Sequence, residues 1–254
     1  MRRDHMMKED ESSMDRTKKA AAAAVGFCLF LALILFVVSA TVYNISGDSA
    51  LMAAEMRRHT SPKESGLPEK QYPEMGEMIT EYLMGRRDVF QHYFNDADGN
   101  MTVCFQPHEA EHMADCRELI RRTGILRWIT GPAVLILILA GIALRRYRKS
   151  FAAGILTGFG LAAAAAFAVL VWGLISFDSL FTAFHRLFFT NDGWLMDSRT
   201  DMLVRLMPTS FFVSMGFKIL LAFAAAALVS FTAAMMIRIA GNKEDEEAQE
   251  AAEA

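Results

Sequence analysis

Two stretches of this chain place proton-transfer or metal-binding side chains at helical spacing. The first runs from Pro107 to Arg122 and reads PHEAEHMADCRELIRR. His108, His112 and Asp115 stand at offsets of four and three, so a helix would carry all three on one face. His108, Glu109 and His112 also match H-E-x-x-H, in which two imidazoles hold zinc and the glutamate is the base of a metalloprotease. Three features count against zinc. Pro107 puts His108 in a frayed first turn, charged Glu111 precedes the second histidine, and only Glu118 offers a nearby third ligand. The second stretch, Phe177 to Phe212, has eight aromatics in 36 residues, against 11% for the whole chain. In it Asp178, Phe181, His185 and Phe188 recur at offsets of three, four and three, which sets His185 in an aromatic surface. Near an apolar boundary an imidazole stays neutral, which suits a base. The alternative is a histidine that only anchors its helix at the lipid headgroups.

These stretches need elements to hold them, and the distribution of charge supplies the elements. Four apolar segments of 24, 17, 26 and 29 residues contain two of the 55 charged side chains, Lys218 and Arg238. They run from Ala20 to Tyr43, Trp128 to Leu144, Phe151 to Ser176 and Phe211 to Ile239. At about 1.5 Å per residue each reaches or nearly reaches across a hydrocarbon core of roughly 30 Å. Backbone amides in lipid must be satisfied within the segment, so all four are predicted to be transmembrane helices. A secretory signal is the competing reading of the first, but its apolar run is longer than a signal needs, which favours a retained anchor. The split excludes a single soluble globule, a disordered chain and a disulfide miniprotein.

The expected fold class is an all-α membrane protein, four transmembrane helices with a mainly helical extracellular cap. The link RRYRK and the six basic residues among the first 19 belong in the cytoplasm. That gives a cytoplasmic N-terminal segment (1–19), the first span (20–43), an outer cap (44–127), the second span (128–144) and a cytoplasmic basic loop (145–150). The third span (151–176), an outer aromatic segment (177–210), the last span (211–239) and a cytoplasmic tail (240–254) follow. The acidic tail is expected to be disordered and solvated. No basic stripe with interleaved aromatics supports nucleic-acid binding.

In the cap, Glu74 to Met84 reads as an amphipathic helix stopped by Gly85, NDADGN at Asn95–Asn100 as a turn, and Pro107 as the start of a helix leading into the second span. Asn191-Asp192-Gly193 reads as a further turn, and Ser198 with Asp201 as a capping box. Lys218 is expected to snorkel outward rather than face a polar pocket. Cys104 and Cys116 are either two free thiols or an outer-side disulfide.

The string FHRLFFTNDGWLMDSRTDMLVRLMPTSFF, preceded by FDSLF, resembles the signature of the lipoprotein intramolecular transacylases, the Lit family of four-span bacterial membrane proteins. EHMADCREL, with His112 and Asp115, is similar to that family's other outer motif. The resemblance implies an enzyme of the bacterial cell membrane, with both termini cytoplasmic and its site at the extracellular face. It would act on diacylglyceryl-modified lipoproteins and move the sn-2 acyl chain to the cysteine α-amino group, leaving a lyso-form lipoprotein. By motif the two catalytic histidines are His112 and His185, with no cofactor and no metal. Asp115, Asp178 and Asp192 are candidates to orient an imidazole or bind the ammonium, and Phe181, Phe184, Phe188, Phe189 and Trp194 to line the pocket. The rival readings are a membrane protein that binds a lipid or a partner without catalysis and, through His108-Glu109-His112, a zinc metalloprotease.

Overall fold

The computed structural model describes residues 2–95, 99 and 101–253, with side chains from residue 11 onward. The elements are α1 (Arg2–Ser46), α2 (Ser49–His59), α3 (Pro62–Ser65), α4 (Tyr72–Leu83), β1 (Tyr93–Asn95), β2 (Met101–Val103), α5 (Pro107–Ala143), α6 (Arg148–Ile175), α7 (Phe177–Phe188), α8 (Met202–Leu206) and α9 (Thr209–Glu253). Among the described residues four helices are long and apolar enough to cross a membrane: Glu11–Ser46, Pro107–Ala143, Arg145–Ile175 and Thr209–Glu253. The protein is an all-α integral membrane protein, and each apolar segment lies, to within one residue, inside a longer continuous helix. As the sequence suggested, α5 begins at Pro107 and runs unbroken into the second span.

Two compact units make up the chain. The first comprises residues 1–37, 128–171 and 223–254. Here α1 and α6 meet backbone to backbone. A Cβ built on Gly26 would sit 2.0 Å from the Phe151 carbonyl oxygen, and one on Gly154 1.9 Å from that of Ala23. Helices gain little from hydrophobic burial against one another in lipid, so close van der Waals approach through small residues carries their packing. Gly154→Leu is therefore expected to cost about 3 kcal/mol, at the upper end of overpacking effects, because the obstacle is backbone. The thermal midpoint in detergent checks this, with Gly160→Leu as control, since a Cβ at Gly160 meets nothing within 4 Å.

The acidic tail corrects an expectation. Instead of a disordered extension, α9 stays helical to Glu253. Its Ala- and Glu-rich composition favours helix, and Glu244 and Asp245 form ion pairs with Arg148 and Lys149 of the basic loop.

The second unit, residues 38–127 and 172–222, is built around a core rich in methionine. Met52 and Met56 of α2 pack with Tyr72, Met75, Met78 and Ile79 of α4 and with Leu206 of α8. The expected glycine stop is present: Gly85 has φ 72°, and Arg86 N–H donates to the Glu81 carbonyl at 2.8 Å. The stretch SPKESG contains a short helix that composition did not reveal, α3, opened by a Ser61/Glu64 capping box and closed by Gly66. The predicted turn at Asn95–Asn100 falls largely outside the described residues. The strands on either side of it pair antiparallel, Phe94 opposite Thr102, as a hairpin that the sequence reading missed.

Lys218 does not snorkel. Its Nζ lies 3.0 Å from Glu55 Oε1 and donates to Ser214 Oγ at 2.9 Å, while Ser214 donates to Glu55 Oε2 at 2.6 Å. Glu55 is 2% exposed, so the lysine at the start of the last span satisfies a buried carboxylate that would otherwise be costly. Burial acts to raise the Glu55 carboxyl, but hydrogen bonds from Ser214 and Lys218 outweigh it and hold the group below its ordinary range.

Candidate active site

His112 and His185 are both buried, 7% and 6% exposed, in the second unit. Their ring centroids stand 5.8 Å apart with an interplanar angle of 34°. At that separation both imidazoles can reach neighbouring atoms of one bound ester.

His185 sits near the end of α7, which starts at Phe177 because Ser176 Oγ accepts from Ser179 N–H. One turn earlier, the Phe181 carbonyl lies 2.8 Å from His185 Nδ1. A carbonyl has no proton to give, so Nδ1–H is the donor. In the neutral ring the lone pair is then at Nε2. Around this imidazole, ring centroids lie at 4.1 Å for Phe181, 4.9 Å for Trp194, 5.4 Å for Phe184 and 5.5 Å for Phe189. Phe189 also packs edge-on to His112 at 5.1 Å. Four of the five expected wall residues thus surround His185. The fifth, Phe188, is 48% exposed and stacks on Phe184 instead.

Desolvation governs the charge of the pair. Burial pushes His112 down to about 4, helped by the proximity of His185 and opposed by Asp115. Burial also lowers His185, partly offset by its bond to the Phe181 carbonyl. With both groups lowered, each imidazole is neutral near pH 7. The aromatic walls exclude the water that would stabilise an imidazolium.

The three candidate aspartates separate. Asp115 accepts from Asn191 Nδ2 at 2.8 Å, which ties α5 to the Asn191-Asp192-Gly193 turn. Asn191 is a hub that the sequence reading passed over. Its backbone carbonyl also accepts from Trp194 Nε1 at 3.0 Å, and its side-chain oxygen from Gly193 N–H at 3.1 Å, so it steadies the indole against His185. Asp192 is exposed, its backbone carbonyl bound to Leu195 N–H. Asp178 is exposed too, on a surface groove of about 650 Å³ with Trp172, Thr182 and Arg186. Among the described residues neither pairs with an imidazole.

The H-E-x-x-H arrangement is dispersed by the fold. His108 Nε2 lies 3.1 Å from Asp201 Oδ2. Fully buried Glu109 accepts from Gln106 N–H and Leu203 N–H, both at 2.6 Å, and so caps the starts of α5 and α8. Among the described residues no three His, Cys, Asp or Glu side chains converge as a metal-ligand set. The Ser198/Asp201 capping box is likewise not formed. Asp201 occupies the N-cap position of α8, but its carboxylate accepts from Asp197 N–H and Thr200 Oγ1 instead. Glu109 supplies the cap from another helix, an arrangement that local spacing cannot show.

Cys104 and Cys116 are free thiols. Cys104 belongs to the core. Cys116 lies one turn after His112, with Sγ 3.4 Å from its Nε2. The offset of four is visible in the sequence, where Cys116 reads as a free thiol or a disulfide partner and not as a neighbour of His112.

The family model for lipoprotein intramolecular transacylase Lit matches residues 24–212, which contain both histidine stretches. The chain belongs to the Lit family. It is accordingly a membrane-integral acyltransferase, and the protease and non-catalytic readings give way. The fold agrees with the in meso structure of the membrane integral lipoprotein intramolecular transacylase Lit from Bacillus cereus, at 19% identity and TM-score 0.67 over 91% of this chain and 99% of that one. A form of the same protein with histidine replaced by arginine matches at 17% identity and TM-score 0.63, over 93% and 99% of the two chains. A form with histidine replaced by alanine gives 19% and 0.62, over 92% and 98%. No curated protein sequence matches this chain.

Proposed function

We propose that this Lit-family enzyme moves the sn-2 acyl chain of a diacylglyceryl-modified N-terminal cysteine to the α-amino group of that cysteine, leaving a lyso-form lipoprotein. The observation that carries the reading is the pair of buried imidazoles 5.8 Å apart within aromatic walls. No protein nucleophile is needed, because the acceptor amine belongs to the substrate. The acyl carbon, ester oxygen, two glyceryl carbons, sulfur, Cβ, Cα and nitrogen close an eight-membered ring. Holding that flexible headgroup in one conformation supplies the orientation entropy. Phe181, Phe184, Phe189 and Trp194 are the walls that confine it.

His185 is the proton carrier. The amine nitrogen attacks the ester carbonyl, and Nε2 accepts the amine proton while Nδ1–H stays bound to Phe181. When the carbon–oxygen bond breaks, the imidazolium returns that proton to the glyceryl oxygen, so one proton moves from nitrogen to oxygen with no net change in the enzyme. His112 is the neutral donor to the tetrahedral oxyanion. Asp115, tied to Asn191, tunes His112 electrostatically; the exposed Asp178 and Asp192 are left without a part in proton transfer.

The basic residues of the loop and N-terminal segment support cytoplasmic termini and, with them, a histidine pair at the outer membrane face, where substrate and membrane lipids would meet it. Mass spectrometry of a reporter lipoprotein's N-terminal peptide, with and without the enzyme, tests the reaction. The acyl chain should shift from oxygen to nitrogen; an unchanged peptide would refute it.

The pH profile follows from the lowered imidazoles. Both the substrate amine and His185 must be unprotonated to react. An α-amino group titrates near 7.7–8.0, while burial holds His185 below its usual 6.5. The logarithm of kcat/KM is therefore expected to fall with unit slope as pH drops below about 8. It should steepen to a slope of two only below 6.5, where His185 gains its own proton. A slope of two already reached above that pH contradicts the assignment.

A further inference from the structure

Cys116 touches the chemistry only through His112. Its Sγ is 3.4 Å from Nε2, and the other ring nitrogen, Nδ1, is buried with no hydrogen-bond partner among the described residues. An imidazole lone pair accepts strongly and sulfur only weakly, so the better arrangement has the S–H donating to Nε2 rather than an N–H donating to sulfur. A neutral ring that accepts at Nε2 carries its proton on Nδ1.

We propose that Cys116 is a positioning residue, whose S–H holds His112 as the Nδ1–H tautomer and so aims the one available N–H from the unpartnered nitrogen at the oxyanion. The inference rests on His112 being the oxyanion donor. It also makes the two histidines complementary. The Phe181 carbonyl fixes His185 with its lone pair at Nε2, and the Cys116 thiol fixes His112 with its proton at Nδ1. The surroundings keep the device intact at working pH. Burial pushes the thiol up to about 12, so it stays a donor. Burial also keeps His112 neutral, and the tautomer matters only for a neutral ring, since an imidazolium donates from both nitrogens. Without the thiol, the ring is free to return to the Nε2–H form that isolated histidine prefers in water.

The test uses the full-length, 15N-histidine-labelled enzyme in detergent, with His112 resonances assigned by their loss in His112→Ala. Wild type is expected to show a pyrrole-type Nδ1 and a pyridine-type Nε2. Cys116→Ala should move both signals toward the opposite tautomer and lower kcat about tenfold at unchanged KM, a milder loss than the roughly 10²-fold that follows removal of an oxyanion donor. Cys116→Ser, which restores a donor, should recover the wild-type spectrum and kcat within about threefold. Wild-type kcat in Cys116→Ala, or a lowered kcat with unmoved 15N signals, overturns the proposal. If His112→Ala itself remains fully active, the catalytic reading fails instead, which separates the two failures.

Discussion

His185→Ala is expected to lower the rate of acyl transfer by about 10²–10⁴, the range typical of a lost general acid–base group. The same imidazole takes the amine proton and returns it to the leaving oxygen, so both halves of the step suffer. His112→Ala should cost roughly 10²–10³, as for removal of one oxyanion-hole donor. The two losses serve one transition state, so the double variant should fall only slightly below the worse single one rather than show the product of the two. Single-turnover transfer on a reporter lipoprotein, read by mass spectrometry, measures all three. His185 also packs against Phe181 and Trp194, so His185→Gln, which keeps a polar side chain of similar bulk, separates chemistry from packing. Full activity in either alanine variant defeats the mechanism.

Glu109→Ala should have the largest effect on stability. The carboxylate is wholly buried and accepts from two backbone amides, of Gln106 and Leu203. Truncation leaves both N–H groups without an acceptor, at about 1–3 kcal/mol each, so a loss of roughly 2–6 kcal/mol is expected. Glu109→Gln keeps one acceptor oxygen but turns an NH₂ toward the other N–H, and should recover only part of it. The thermal midpoint in detergent measures the loss, and transfer assayed well below that midpoint should stay within about tenfold of wild type. The H-E-x-x-H motif makes the opposite prediction: a catalytic glutamate, whose removal abolishes activity and spares the fold. A variant with unchanged stability and no activity would restore that view.

Much of the site was legible because its parts are local. The offset between Phe181 and His185 brings the carbonyl to Nδ1 as soon as α7 forms, and crowded aromatics next to a histidine foretold a neutral ring. Selection among the carboxylates was not legible. Asp115, Asp178 and Asp192 have the same chemistry and lie three, seven and seven residues from a histidine in sequence. Asn191, reaching from another segment, engages Asp115 alone. The literal match at His108-Glu109-His112 misled for the same reason: Asp201 and Leu203 draw its first two members away.

Sequence by itself determined the four spans, the start of α5 at Pro107 and the glycine stop after α4. Hydropathy, capping and helical periodicity are properties of one contiguous segment, and they survive without knowledge of any other. Only the tertiary structure decided that Lys218 meets Glu55, that the acidic tail forms a helix paired with the basic loop, and that Asn191 engages Asp115. A charge acts through whatever lies within a few ångströms, and for Glu55, Lys218 and Asp115 decisive neighbours come from distant parts of the chain.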